Sequence, residues 1–123
     1  MNIIYFSKFY TKLNDLEFTT IRRYDRYKAG QVYNVFLKQK NNKRFLFAAK
    51  LLRKEKKIIN KIDTNFLLKD TDCKDRQESI DLINSFYRNE IDSEKEKLTI
   101  LYFKKLVDKI NTLNTSKPAV VFI

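Results

Sequence analysis

Residues 18–38 read Phe18-Thr-Thr-Ile-Arg-Arg-Tyr-Asp-Arg-Tyr-Lys28-Ala-Gly30-Gln-Val-Tyr-Asn-Val-Phe-Leu-Lys38. The β-branched density of 18–23 marks a strand, and the run 31–38 marks a second. Between them Lys28-Ala-Gly30 makes a turn, with glycine able to supply the positive φ that a turn asks for. Working outward, Lys40-Asn-Asn-Lys43 is a polar hairpin loop, and residues 44–54 make a third strand. Alternation there places Phe45, Phe47, Ala49 and Leu51 on one face, against Leu46, Ala48, Lys50 and Leu52 on the other. Residues 97–105, Lys-Leu-Thr-Ile-Leu-Tyr-Phe-Lys-Lys, are a strand by composition, and Ala119–Ile123, after Pro118, is a candidate terminal strand.

Helical signals flank these strands. Residues 7–16 read as a short helix with Ser7 as N-cap and Phe9, Leu13 and Leu16 at helical spacing. Asp70-Thr-Asp72 offers a cap for a second helix over about 74–89, with Ile80, Ile83 and Phe86 on one face. Residues 55–65 fit a strand or a helical turn equally, and Phe66-Leu-Leu is a short buried piece. The expected architecture is α+β: a small curved, mostly antiparallel sheet or open barrel flanked by two helices. The 123 residues fit one domain, with 106–123 as a C-terminal extension.

Composition removes several chemistries. With no His and one Cys, neither a zinc site, an internal disulfide nor an imidazole relay is available. A single glycine excludes glycine-rich phosphate loops, so no nucleotide cofactor is expected. The acidic 63–96 region lacks the ligand spacing and turn glycine of a calcium loop, so no metal is expected either. Cys73, near a helix start but without a His partner, is an ordinary residue rather than a catalytic thiol. No apolar run approaches the ~20 residues of a membrane span, and the opening Met1–Lys8 is too short and too soon charged for a signal peptide. A cytoplasmic protein with no membrane partner is expected.

Charge gives the first positive indication. Residues 1–62 hold 16 basic and 4 acidic side chains, whereas 63–123 hold 10 and 11. An excess confined to half of one small domain points to a face that meets a polyanion. A Lys-, Asn- and Ile-rich composition also follows from an AT-rich genome, but five of the seven Arg lie in the basic half. The densest stretch is Arg22-Arg23-Tyr24-Asp25-Arg26-Tyr27-Lys28. Single-stranded nucleic acid asks for this mixture, because guanidinium groups pair with phosphate oxygens while tyrosine faces stack on bases. Lys43 and Arg44 in the hairpin loop, and Arg53 beyond it, extend the electropositive path if the sheet curves.

Two stretches, Asn14-Asp-Leu-Glu-Phe-Thr-Thr-Ile-Arg-Arg23 and Tyr27-Lys-Ala-Gly-Gln-Val-Tyr33, look like the core of ASCH domains, the PUA-like β-barrels. Asp72 to Tyr87 is similar to that family's later helix, and the resemblance spans about residues 3–105. It implies a barrel with a cleft beside the first helix that in some members binds RNA or nucleotides. One bacterial branch hydrolyses an acylated cytidine with a Lys, a Thr and a Glu. Matched on Thr20-Ile-Arg22, the threonine falls on Thr20, but the lysine position holds Glu17, the motif glycine is Asp15, and the aspartate after the turn glycine is Gln31. A carboxylate does not replace the amine, so only Thr20 and Arg22 carry over as cleft positions.

The expected function is non-catalytic binding of RNA or single strands through Thr20, Arg22, Arg23, Tyr24, Arg26, Tyr27, Lys28, Lys43, Arg44 and Arg53. No basic helix of the kind that enters a major groove is present. Two other readings stay open on the residues alone. One is a small hydrolase of RNA or nucleosides. The other is a viral or mobile-element interaction protein that forms a homodimer by edge pairing of Ala119–Ile123.

Overall fold

A computed structural model describes residues 2–106. Five strands form one sheet: β1 (Ile3–Phe6), β2 (Glu17–Arg22), β3 (Val32–Gln39), β4 (Asn42–Ile58) and β5 (Lys97–Lys105), in the order β1-β3-β4-β5-β2. Only the β1–β3 pair is parallel. Two helices, α1 (Thr64–Thr71) and α2 (Arg76–Ser85), lie between β4 and β5 in sequence. The class is therefore α+β, with a mixed sheet that does not close. None of the helices among the described residues is long and apolar enough to cross a membrane.

β1 and β2 stand at opposite ends of the strand order, yet they approach each other in space. Arg22 Nη2 on β2 donates to the Tyr5 carbonyl on β1 at 2.8 Å, and the rings of Phe6 and Phe18 lie 6.3 Å apart. The sheet is thus curled until its two edges face each other across a seam. The long β4 makes this possible: it carries two irregularities, at Leu46 opposite Val35/Phe36 and at Leu52 opposite β5. Each extra residue bends the strand and tightens its twist.

Inside the curl lie Ile4, Phe6, Phe18, Tyr33, Val35, Ala49, Leu51, Leu101 and Phe103. On the outer face of the β2–β5 end, Ile21, Leu98 and Ile100 are covered by Ile59, Ile62, Leu67 and Ile83 from the helical segment. Each fully buried Leu or Ile contributes about 1.5–3 kcal/mol, which makes these two clusters the main source of stability. The helices are locally specified. Asp63 and Asp75 cap α1 and α2 by accepting the backbone N–H of Phe66 and Glu78. Arg76 then donates to the carbonyls of Ile59, Asn60 and Ile62, tying α2 to the 3-10 turn Ile59–Lys61 that follows β4.

Several expectations are corrected here. The anticipated helix over 7–16 is only a 3-10 turn at Thr11–Asn14, and Ile3–Phe6 before it is a strand. Phe9 and Leu16 remain exposed, so the helical spacing of apolar residues there does not mark one buried face. The second helix is shorter than expected and is capped by Asp75, while Asp72 ends α1 with φ +60°. Residues 55–58 belong to β4, and Phe66–Leu68 belong to α1. Phe45 does not share the face of Phe47, Ala49 and Leu51, because the irregularity at Leu46 shifts the alternation. The turn at Gly30 has φ +90° as anticipated, and β5 has the expected limits. The 106–123 extension, apart from Leu106, and with it the candidate strand Ala119–Ile123, lies outside the described residues.

Candidate nucleic-acid interface

The seam between β1 and β2 is flanked by α1 and α2, and it holds a cavity of about 540 Å³. Tyr5, Phe6 and Lys38 border it on one side and Thr20 and Arg22 on the other, with Lys12, Asp70 and Phe86 among its remaining walls. A second, outer cavity of about 480 Å³, lined by Arg22, Arg23, Tyr24, Arg26, Tyr27, Phe86, Tyr87, Arg88 and Glu90, adjoins this inner one. Arg22, Phe86 and Tyr87 line both, so the two form one cleft. Its walls carry six cations, Lys12, Arg22, Arg23, Arg26, Lys38 and Arg88, against the carboxylates Asp70 and Glu90.

These cations are not equivalent. Arg23 is engaged by Glu96 at 2.8 Å and by Glu90 at 3.5 Å, which leaves its charge largely answered. Lys12 is 4% exposed and donates to Asp70 Oδ1 at 3.0 Å, and the same oxygen accepts the Thr19 hydroxyl at 2.7 Å. Burial pushes the Lys12 ammonium below its ordinary pKa, against the opposing pull of Asp70. Arg22 holds the seam: Nε donates to Thr20 Oγ1 at 3.3 Å while Nη2 takes the Tyr5 carbonyl. Arg26, Lys38 and Arg88 form no ion pair among the described residues. They and Arg22 are the cations available to an incoming anion.

Aromatic rings stand among these charges. Tyr24 is half exposed and meets Tyr87 edge-on at 6.0 Å, with the Arg26 guanidinium 4.9 Å from its centroid. Phe86 is exposed at the rim. Tyr27 is partly buried against Tyr33, which restricts it to one face.

Thr20, Arg22, Arg23, Tyr24, Arg26 and Tyr27 therefore meet in one concavity. The remaining sequence candidates are placed elsewhere. The Lys28 backbone N–H donates to the Tyr33 hydroxyl in the turn, and its side chain is not in the cleft wall. Lys43 lies 5.5 Å from the Tyr5 ring, beside the cleft mouth rather than in it. Arg44 pairs with Leu37, one residue out of phase with Lys43, and borders neither cavity. Arg53 is on the opposite face from Thr20: it stacks on Tyr102 at 3.7 Å, and Tyr102 is the partner of Thr19, not Thr20.

Sequence reasoning did not assign Lys12, Asp70, Phe86 or Arg88 to the site. Only Phe86-Tyr87-Arg88 carried a signal, as a second instance of the ring-and-cation mixture of 22–28. Lys12 and Asp70 are 58 residues apart and carried none.

The Arg53 side of the sheet yields a test of its own. Tyr102 donates to Glu55 Oε1 at 2.7 Å, and this bond, ahead of the neighbouring Lys57 and Arg53, holds the Glu55 carboxyl below its ordinary 4.5. A depressed carboxyl contributes stability above its unfolded pKa and loses it as pH falls through the folded value. Tyr102→Phe is therefore expected to flatten the fall of stability below about pH 4.5, as read by urea denaturation across the acid range. An unchanged acid limb would refute the assignment.

No family model, curated protein or solved structure matches this chain.

Proposed function

We propose that this chain is a non-catalytic, ASCH-type PUA-like domain of the cytoplasm that binds RNA or another single strand in the seam cleft. The observation that carries the reading is the shared wall of the two cavities. It places Arg22, Arg26, Lys38 and Arg88 along one concave path with Tyr24, Phe86 and Tyr87 between them. Phosphates would lie against the cations and bases against the rings. Duplex DNA fits less well, because α2 presents Glu78 and Asp81, not a basic face for a major groove. The curled sheet with an open seam supports the PUA-like part of the proposal.

Fluorescence anisotropy of a labelled oligouridylate against salt tests the reading. Four available cations predict a log–log slope of about −2.8, or roughly a fiftyfold loss of affinity between 50 and 200 mM salt. A slope near zero, or no binding at low salt, would overturn it.

A second reading rests on a specific observation. Lys12, Thr20 and Asp70 line the same inner cavity, so a lysine, a hydroxyl and a carboxylate are present there although Glu17 occupies the position the resemblance assigns to the amine. Hydrolysis of an acylated nucleoside by this cavity is the enzyme alternative. Turnover of acylcytidine that disappears in Thr20→Ala would establish it, and an inert wild-type protein would dismiss it. The homodimer through Ala119–Ile123 concerns residues outside those described.

A further inference from the structure

The outer face of the β1–β3–β4 end bears a row of aromatic rings of which only Tyr5 also lines the cleft. Tyr5, Phe36 and Phe45 are direct cross-strand partners, so they stand side by side on one face, with ring centroids 6.1 and 5.6 Å apart. The irregularity at Leu46 creates this row: it pairs Phe45 with Phe36 and turns the Phe45 ring outward, where it is 52% exposed. The next pair on that face is Lys38 and Lys43, whose ammonium groups lie 5.2 and 5.5 Å from the Tyr5 centroid. On the other side the next row is the uncharged Ile3, Asn34 and Ala48, and Lys50 follows one pair further on, opposite Val32. Among the described residues none of these three lysines has a carboxylate partner. A contiguous row of outward rings, unlike a single exposed apolar side chain, points to a contact surface.

We infer that this row is a stacking platform for the continuation of the same single strand that occupies the cleft. Two observations select a polynucleotide over a protein partner. The charged side chains nearest the rings, Lys38 and Lys43, are both cations, which suits a ligand with apolar faces and an anionic backbone. The platform is also continuous with the cleft, because Tyr5 and Lys38 line the inner cavity as well. A strand leaving the cavity over Tyr5 meets Phe36 and then Phe45, with its phosphates alongside Lys38 and Lys43. The inference rests on the nucleic-acid reading above, and its test separates the two.

Phe45→Ala removes an exposed ring, so the fold is retained. It is expected to weaken an oligouridylate of about twelve nucleotides by roughly five- to hundredfold, to leave one of about four unchanged, and to leave the salt slope as it was. Phe45→Trp keeps a stacking ring and introduces the only tryptophan in the chain. Its fluorescence is expected to quench on binding the longer oligonucleotide. If Phe45→Ala binds both lengths like wild type, or the tryptophan does not respond at saturation, the platform is refuted while the cleft reading stands. Loss of binding in Phe45→Ala but not in the cleft variant Arg26→Gln/Arg88→Gln would put the strand on the rings instead of in the cleft, refuting the cleft reading and the continuation from it. Failure of any oligonucleotide to bind overturns both. A dimer by light scattering that Phe45→Ala dissociates would instead make this face a contact between copies.

Discussion

Asp70→Ala is expected to lower the free energy of unfolding by about 3–5 kcal/mol, because it leaves the buried Lys12 ammonium without its counter-charge. Asp70 and Lys12 are 5% and 4% exposed, too enclosed for water to replace the lost carboxylate. The partial negative faces of the Phe6 and Tyr10 rings, 5.3 and 5.2 Å from Nζ, offset only a small part of the loss. The deficit should shrink as pH rises. Lys12 has a folded pKa below its unfolded one, so the folded state releases its proton first and stability grows with pH between those two values. Without Asp70 to hold the proton, that gain is larger in the variant. Urea denaturation at about pH 7 and about pH 10 checks both the size and the trend. A deficit below about 1 kcal/mol, or one that is the same at both pH values, would mean that Lys12 is not a paired, buried cation. The double variant Lys12→Met/Asp70→Leu removes both charges and should recover most of the stability, with about 1 kcal/mol still missing for the Thr19 hydroxyl.

That pair also shows where sequence reading stops. The strands β2, β3 and β5 are legible because each is a run of β-branched and aromatic residues whose pairing partners are other such runs. β1 is not, because four residues, Ile3–Phe6, gain their strand character only from parallel pairing with β3, some thirty positions later. Local spacing at Phe9, Leu13 and Leu16 imitates a helix, but two of the three are exposed. Strict alternation carries Phe45 inward. One inserted residue, Leu46, reverses it, and nothing in the local composition marks that insertion. At the site the same division holds. Arg22 to Tyr27 were readable because consecutive residues carry the cations and rings. Their convergence with Lys12, Lys38 and Arg88 is a product of the curl, which no single segment encodes. Arg53 fell to the wrong face because the second irregularity, at Leu52, precedes it.

Arg26→Gln/Arg88→Gln is expected to weaken single-strand binding by about a hundredfold or more at low salt, since each charge-assisted contact to a phosphate is worth about 1.5–3 kcal/mol. The pair is chosen by elimination within the cleft. Arg22 binds the Tyr5 carbonyl and Thr20, so its removal would loosen the seam as well as the ligand. Arg23 is held by Glu96 and Glu90, and Lys12 by Asp70. Arg26 and Arg88 are exposed, have no carboxylate partner among the described residues, and both line the outer cavity. Glutamine keeps a polar, hydrogen-bonding side chain at both, including Arg88 at φ +58°, so stability should stay within about 0.5 kcal/mol of wild type. The sharper signature is the salt dependence. Removing two of four available cations should halve the slope, from about −2.8 to about −1.4, so that the variant and wild-type isotherms converge as salt rises. Stacking on Tyr24 and Phe86 survives both changes and supplies the salt-insensitive remainder of the affinity. A hundredfold loss with an undiminished slope would mean that the arginines shape the cleft without touching phosphate. An unchanged affinity would move the anion-binding path off this wall altogether.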